Sequence, residues 1–246
     1  MVAFDPAQPH LLEQHLLQQA TPLPVVVTGA MHDWPARSWP VQHLQQFGGK
    51  IVPVEISHNG GDYRDLHAAA SNRYFETDVG IPLALLLESM QAAKERPSPV
   101  LLYAAQVDLI SLIPELESGI RTPPMSAISE RLYKRNTWLG PPGTVTPLHC
   151  DPYYNMFCQV WGSKYVRMYD HKHAQQLYPF SNPFLRNTSQ VHVDMHSKEY
   201  QDFPGFSEVP YLEHHLQPGE MLFIPKKYWH FVQALDISWS VSYWWT

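Results

Sequence analysis

Proline constrains this chain more than any other residue type: 23 prolines are spread over 246 residues, between short apolar runs. Proline removes a backbone donor and is poorly tolerated inside long helices and central strands. The spacing therefore favours many short strands joined by turns over long helices. The hydrophobic fraction of 44% allows a packed core, and the charged fraction of 16% argues against long disordered or coiled-coil stretches.

The hydrophobic patterns predict a mixed first part and a β-rich second part. Helices are predicted over residues 10–19, 38–47 and 81–94, the last with an apolar stripe of Leu83, Leu86, Leu87 and Met90. Strands are predicted over 23–29, 51–56, 100–104, 134–139, 154–160, 164–169, 211–216, 220–224 and 238–245. We interpret 1–246 as one domain: 1–99 gives helical and strand support and a substrate region, and 100–246 a Greek-key or jelly-roll sandwich core.

The final predicted strand has unusually regular period-2 patterning. Its small residues Ser238, Ser240 and Ser242 alternate with bulkier neighbours. A small face turned toward a barrel interior leaves space for a ligand, whereas a plain core strand gives the same pattern. The sequence leaves both readings open.

Charge and cysteine content limit the classes of partner and compartment. The net charge of -6 argues against attraction to nucleic acid. Two cysteines, Cys150 and Cys158, are too few for a disulfide framework. The first residues lack the pattern of a signal peptide, and no apolar run approaches the ~20 residues that span a bilayer. We expect an intracellular protein without a membrane partner, in the nucleus, the cytoplasm or both.

The segment PLHCDPYYN contains the most informative spacing in the chain. In an extended strand, His149 and Asp151 share a face with Cα atoms ~7 Å apart, so both can reach one metal ion. Cys150 then points to the opposite face and is not expected to be a ligand. His230 follows a turn, an apolar strand and a proline break, which makes it a candidate third ligand. Two imidazoles and one carboxylate are typical of non-haem Fe(II) oxygenases.

A rival metal pattern, His192-x-Asp194-x-His196, lies in polar surroundings that resemble a loop. It could be a surface site or no site. His149 and Asp151 are preferred because their neighbourhood predicts more strands, and a metal needs a supported, dry cavity.

Several further motifs accompany these ligands, and together they resemble the JmjC oxygenase family. They include Thr146-Pro-Leu-His149-x-Asp151-Pro, Gln159-Val-x-Gly162-x-Lys164-Tyr, Pro218-Gly-Glu-x-Leu-Phe-Ile-Pro225 and Lys227-Tyr-Trp-His230. The resemblance covers nearly the whole chain and is most specific over 135–246. It implies a cupin-like double-stranded β-helix core, mainly β with packed N-terminal helices, and an oxygenase that uses Fe(II), 2-oxoglutarate and O2.

The resemblance also implies roles for individual residues. It assigns iron, as catalytic metal, to His149, Asp151 and His230. It assigns the distal carboxylate of 2-oxoglutarate to Lys164, helped by Thr146 and Tyr103, with Asn155 and Trp138 lining the same pocket. Pattern alone favours a solvated lysine on an outer face for Lys164 and ordinary core positions for Tyr103 and Trp138, so the resemblance carries these three assignments. Asn155 shares strand parity with His149 and Asp151, which fits a pocket position.

The substrate is implied by one carboxylate, Glu55, the single charge in Ile-Val-Pro-Val-Glu-Ile. The family member most resembled is an arginine hydroxylase that is also described as a lysine demethylase, and its corresponding glutamate faces the substrate arginine. A carboxylate can hold a guanidinium by two hydrogen bonds, but an outward charge on an edge strand is an equal alternative. The segment after Glu55, including Tyr63, departs from that relative.

We therefore predict hydroxylation of a protein side chain, with arginine as the expected target. The alternatives are a demethylase acting on methyl-lysine in a protein or peptide, a tRNA-modifying hydroxylase, and a catalytically silent cupin binding module.

Overall fold

The computed structural model describes residues 2–3, 5, 8–17, 22–65, 74–196 and 200–246. The strands of this part are β1 (Val2–Ala3), β2 (Val25–Thr28), β3 (Ile51–His58), β4 (Tyr74–Pro82), β5 (Val100–Val107), β6 (Leu132–Gly140), β7 (Val145–Cys150), β8 (Tyr154–Trp161), β9 (Lys164–Tyr169), β10 (Leu212–Leu216), β11 (Met221–Ile224), β12 (Trp229–Ala234) and β13 (Ser238–Trp245). The α-helices are α1 (Pro9–Leu17), α2 (Leu83–Glu95), α3 (Leu109–Leu112) and α4 (Ser126–Arg131). Short 3-10 helices cover Pro35–Ser38, Val41–Phe47, Tyr63–Asp65, Pro114–Gly119, His171–Leu177 and Phe206–Glu208.

Two sheets form the body of the protein. The larger has the strand order β1-β2-β11-β8-β13-β6-β5-β3-β4, and the smaller has the order β10-β9-β12-β7. Every pairing is antiparallel except that of β1 with β2. Several neighbours in each sheet, such as β11 and β8 or β12 and β7, come from distant parts of the chain, which is the connectivity of a jelly roll. The predicted fold class is confirmed.

The first part of the chain extends the larger sheet and covers one of its faces. The stripe on α2 is buried as predicted, with Leu83, Leu86 and Met90 fully enclosed in the main core. Strand β5 lies between β6 and β3, so the sheet continues across the predicted boundary near residue 99. The division into 1–99 and 100–246 stays a prediction.

Several elements differ from the sequence-based expectations. The predicted helix over 38–47 is two 3-10 helices, because Trp39 precedes Pro40 and is held in an extended conformation (φ -73, ψ 131). Strand β4 was not predicted, since an edge strand with charged residues lacks clear alternation. Strand β12 was also missed. The predicted helix over 10–19 ends at Leu17, and residues 18–19 lie outside the described part.

The small face of β13 lies on the cavity side of the sheet. Ser242 Oγ accepts a hydrogen bond of 2.9 Å from Trp138 Nε1, and Trp138 lines the cavity described below. Trp244 has the same parity and lines that cavity too. The bulky residues Trp239 and Tyr243 pack into the main core on the opposite side. Of the two readings of this strand, the structure therefore shows the one that leaves space for a ligand.

In the described ranges, none of the helices combines the length and the apolar character that crossing a bilayer requires.

Candidate metal centre and adjoining pockets

Two neighbouring strands of the smaller sheet bring the predicted ligands together. His149 of β7 and His230 of β12 are register partners, and a register shift follows directly after His230. Their ring centroids lie 4.2 Å apart. Asp151 follows the last residue of β7, so it has the same parity as His149. The site therefore combines a local spacing with one cross-strand pairing.

The three side chains are arranged as metal ligands would be. The Nε2 atoms of His149 and His230 each lie 3.7 Å from Asp151 Oδ2, and one ligand atom from each residue lies within 4.8 Å of the others. Among the described residues, this is the one group of three or more His, Cys, Asp or Glu side chains with such geometry.

Hydrogen bonds hold both imidazoles in the form that binds a metal through Nε2. His149 Nδ1 donates to Pro147 O at 2.8 Å, and His230 Nδ1 donates to Tyr228 O at 3.0 Å. Because a carbonyl only accepts, Nδ1 carries the hydrogen and the Nε2 lone pair is free. Within the described residues, Asp151 Oδ2 is buried without a hydrogen-bond partner. A cation at this point would satisfy all three atoms, so the residues fit a metal ion.

The electrostatics of the group are dominated by burial and mutual attraction. Burial lowers the pKa of His230 to about 4, with a further contribution from neighbouring His149. Burial also acts to lower the pKa of His149, but the Asp151 carboxylate outweighs it and raises that pKa. Burial acts to raise the pKa of Asp151, but the two histidines outweigh it and lower that pKa. The aspartate therefore stays ionised beside two imidazoles.

The rival pattern does not form a metal site among the described residues. The His192 Nδ1 atom takes part in a 2.8 Å hydrogen bond with Arg64 Nη2, so this nitrogen is engaged by a guanidinium, and no three-ligand group forms here among the described residues. Asp194 Oδ1 accepts from the backbone of His196 at 2.8 Å. Arg64 also forms a buried ion pair with Asp62 and donates to Val191 O at 2.8 Å. These contacts fasten the segment after β3 to the loop after residue 188.

A narrow cavity opens beside the triad and is lined by four of the residues expected around a co-substrate, while the fifth, Lys164, lies behind Tyr103 of its wall. It is lined by Tyr103, Trp138, Thr146, Asn155 and Phe157 together with the three candidate ligands. Lys164 is 1% exposed, and its Nζ donates to Tyr103 Oη at 3.2 Å and lies 5.3 Å from the centre of the Phe157 ring. Within the described residues no carboxylate pairs with Lys164. The Asn155 Oδ1 atom is likewise buried without a partner.

The buried Lys164 makes the stability of the protein depend on pH. Burial lowers its pKa from 10.5 to about 7. Between these values the unfolded chain binds a proton that the folded chain does not, so the free energy of unfolding rises with pH. Lys164→Met keeps the volume and cannot titrate. Without 2-oxoglutarate, the variant should be more stable by several kcal/mol below about pH 7, and this advantage should shrink towards pH 10.5. Urea unfolding at several pH values measures the difference; a constant difference would contradict a buried charge at Lys164.

A larger pocket of about 380 Å³ lies on the outer side of the triad and is reached by Glu55. Glu55 is half-buried in β3, opposite Tyr103 of β5, beside a register shift in the β3–β4 pairing. Burial, with smaller contributions from Asp62 and Asp78, raises the pKa of Glu55 to about 7. The structure therefore places this carboxylate in a pocket, not outward on an edge strand.

The sequence analysis did not predict several residues of this larger pocket, and it left the role of one of them undecided. They are Gln106, Tyr153, Asn187, Thr188 and Trp244, with Tyr63 as the aromatic whose role was undecided. Tyr63 Oη lies 3.2 Å from Thr188 Oγ1, which joins two segments far apart in sequence. Gln106 has a left-handed backbone (φ 57), which no local motif signals. Only Trp244 carried a usable signal, its parity with the small face of β13.

An antiparallel jelly roll with two histidines and an aspartate converging at one cavity defines this molecule as a cupin-type protein with a candidate metal centre. A family model described as a cupin-like domain matches residues 10–246. The chain belongs to this cupin-like, JmjC-containing family, and the resemblance found in its motifs is confirmed.

Similar proteins include three with informative names. Lysine-specific demethylase 8 from Xenopus tropicalis is 38% identical and aligns with 98% of this chain and 51% of its own length. JmjC domain-containing protein D from Dictyostelium discoideum is 34% identical over 89% of this chain and 50% of its own length. Jumonji C domain-containing protein 5 from Drosophila melanogaster is 34% identical over 90% of this chain and 54% of its own length. The chain spans about half the length of these relatives.

Proposed function

We propose that this chain is an Fe(II)- and 2-oxoglutarate-dependent oxygenase that acts on a cationic side chain of a protein substrate. The observation that carries the proposal is a metal-competent triad at one narrow cavity, together with a buried lysine that donates a hydrogen bond to Tyr103 of the cavity wall and has no anionic partner within the described residues. The triad predicts a bound cation, and the buried lysine predicts an anionic ligand close to it. Fe(II) and 2-oxoglutarate supply that combination of charges.

His149, Asp151 and His230 would hold the iron. Two neutral imidazoles and one carboxylate leave coordination positions open, which favours Fe(II) of the oxygenase type over a closed structural site. Bound iron, with 2-oxoglutarate and O2, supplies the oxidising chemistry for a C–H bond. The contacts to Pro147 O and Tyr228 O fix the orientation of the two rings, so little reorganisation is needed on binding.

Lys164 would bind the distal carboxylate of 2-oxoglutarate. A buried ammonium without a partner is costly, and an incoming carboxylate offsets that cost. Tyr103 and Thr146 offer hydroxyls at the same cavity, and Asn155 and Trp138 form part of its wall. Binding would also raise the pKa of Lys164 and hold its proton on Nζ.

Glu55 would receive the substrate side chain in the larger pocket. Ionisation of this half-buried carboxylate is opposed by desolvation and by Asp62 and Asp78. A cationic side chain beside Glu55 would favour the ionised form. The geometry of a carboxylate suits a guanidinium through paired hydrogen bonds, so we propose arginine as the target, hydroxylated on carbon.

Demethylation of a methylated lysine is the second candidate. It is favoured by the name of the relative from Xenopus tropicalis, a lysine-specific demethylase. Methyl-lysine is also a cation, so Glu55 is compatible with it, but it cannot form the paired hydrogen bonds of arginine.

Incubation with Fe(II), 2-oxoglutarate and peptides tests the proposal. Succinate formation is expected with iron and not after chelation. Mass spectrometry then separates the candidates, because an arginine hydroxylase adds one oxygen atom whereas a demethylase removes a methyl group and releases formaldehyde. No succinate under any of these conditions would contradict the oxygenase and favour a silent binding module. Turnover of a tRNA in place of peptides would contradict the protein substrate.

The variant Glu55→Gln should raise the KM for an arginine peptide by about 30-fold or more, because an amide keeps the shape and loses the charge. The KM for 2-oxoglutarate should change little, which separates a substrate contact from general damage. Glu76→Gln on neighbouring β4 is the matched control, since its half-exposed carboxylate lies outside the pocket. Equal peptide KM values for the two variants would show that Glu55 does not hold the substrate.

A further inference from the structure

A third cavity, about 540 Å³ in volume, lies behind the metal centre on the face of β7 to which Cys150 points. It is lined by His171, Arg186 and Lys227, and among the described residues Asp151 is the one acidic member of its wall. We call this the basic cavity. Its two cationic residues, Arg186 and Lys227, form a local positive region on a chain whose net charge is -6.

The two cations of the basic cavity are solvent-exposed and have no partner within the described part of the protein. Arg186 and Lys227 are exposed, and within the described residues neither side chain forms an ion pair or a hydrogen bond. Neighbouring cations behave differently: Lys172 pairs with Asp170 at 3.2 Å, and Lys226 lies 4.6 Å from the centre of the Tyr154 ring. Two free cations at one concave surface predict an anionic ligand.

The wall of the basic cavity is fastened to the metal-binding strand. Lys227 has a left-handed backbone (φ 62), and its amide donates to Asp151 O at 2.7 Å. Asn187 is bonded twice to Cys150, through its carbonyl at 2.9 Å and through Nδ2 at 3.1 Å. These contacts fix the positions from which both cations project.

The basic cavity is continuous with the pocket proposed for the substrate side chain. Asp151, Pro152 and Asn187 line both cavities, so a polypeptide with one side chain in the larger pocket can pass over this shared edge. The remaining wall includes Trp229 and two prolines, Pro179 and Pro183, which suit the apolar stems of side chains.

We propose that the basic cavity binds acidic residues that flank the target side chain of the protein substrate, and so selects substrates by sequence context. The proposal rests on the proposed function for the identity of that substrate. A polypeptide is favoured over a nucleic acid because the wall is partly apolar and the overall charge of the chain is negative.

Two fluorescein-labelled peptides test the proposal by direct binding. Each has a central arginine, flanked on both sides by glutamates in one peptide and by glutamines in the other. At low salt the glutamate peptide should bind about five- to tenfold more tightly, as two partly exposed ion pairs allow. This advantage should be lost in the double variant Arg186→Gln/Lys227→Asn, in which asparagine tolerates the left-handed backbone. It should persist in Lys226→Asn, the matched control.

Labelling of Cys150 locates the bound peptide. The chain has two cysteines, and Cys158 is fully buried, so a maleimide on the folded protein reports Cys150. The glutamate peptide should slow this labelling severalfold, and the glutamine peptide should slow it less.

Three outcomes would overturn the basic cavity as an acidic-peptide site: equal affinity for both peptides, a glutamate preference that survives the double variant, or tighter binding of a short oligouridine. Glutamate-selective binding with protection of Cys150, but no succinate, would support the cavity and contradict the oxygenase proposal. Succinate formation with equal peptide affinities would do the reverse.

Discussion

Asp151→Ala is expected to abolish iron binding and succinate formation, with losses of at least about a hundredfold in each. Asp151 supplies the one negative charge among the three candidate ligands, and its Oδ2 lies 3.7 Å from both imidazole Nε2 atoms. Removing it leaves two neutral ligands and an uncompensated cation in a buried site. Iron affinity is measured by titration under anaerobic conditions, and succinate is measured with peptide present.

Asp194→Ala is the matched control for this experiment, because it makes the same change in the rival His-x-Asp-x-His pattern. Asp194 is outside the triad and accepts from the backbone of His196. Both measurements should stay near the parent values. If Asp194→Ala removed activity while Asp151→Ala retained it, the assignment of the metal centre to His149, Asp151 and His230 would be wrong.

Lys164→Met is expected to raise the KM for 2-oxoglutarate by at least about a hundredfold, while iron affinity changes little. Removing one partner of a buried charged pair costs about 3–5 kcal/mol, and methionine keeps the volume that alanine would leave empty. The same variant should be more stable than the parent without co-substrate, so lost binding cannot be attributed to unfolding. The titration of succinate formation against 2-oxoglutarate concentration provides the measurement.

Lys50→Met, at an exposed position next to β3, is the control for loss of one lysine charge. It should leave the 2-oxoglutarate dependence unchanged. Equal KM values for Lys164→Met and the parent would mean that the buried ammonium does not contact the co-substrate.

Local features of the fold were predictable because they depend on neighbours in sequence. The bounds of β9 and β13 agree with the predicted 164–169 and 238–245, and the stripe on α2 is buried as its 3.6-residue spacing indicated. Predictions failed where a local pattern was weak or misleading. Edge strand β4 needs little apolar alternation, and Pro40 divides an otherwise helical segment.

The candidate site likewise has one part that local sequence predicts and one part that depends on long-range strand pairing. The spacing of His149 and Asp151 fixes their common face, and the sequence alone therefore determined this half of the centre. The position of His230 opposite His149 depends on the pairing of β12 with β7, two strands about 80 residues apart in sequence. The local pattern before His230 and the motif resemblance both made it a candidate, but only the register of the sheet places it beside His149.

The sequence by itself determined a β-rich jelly roll, its family, and a His-x-Asp pair on one strand face, because strand periodicity and motif spacing are short-range properties. Tertiary structure alone decided that Lys164 is buried without an anion, that Glu55 faces a pocket, and that the rival His192 is bound by Arg64. It also decided that Arg186 and Lys227 meet at one cavity. Burial and charge pairing depend on which distant segments pack together, and no local spacing encodes that information.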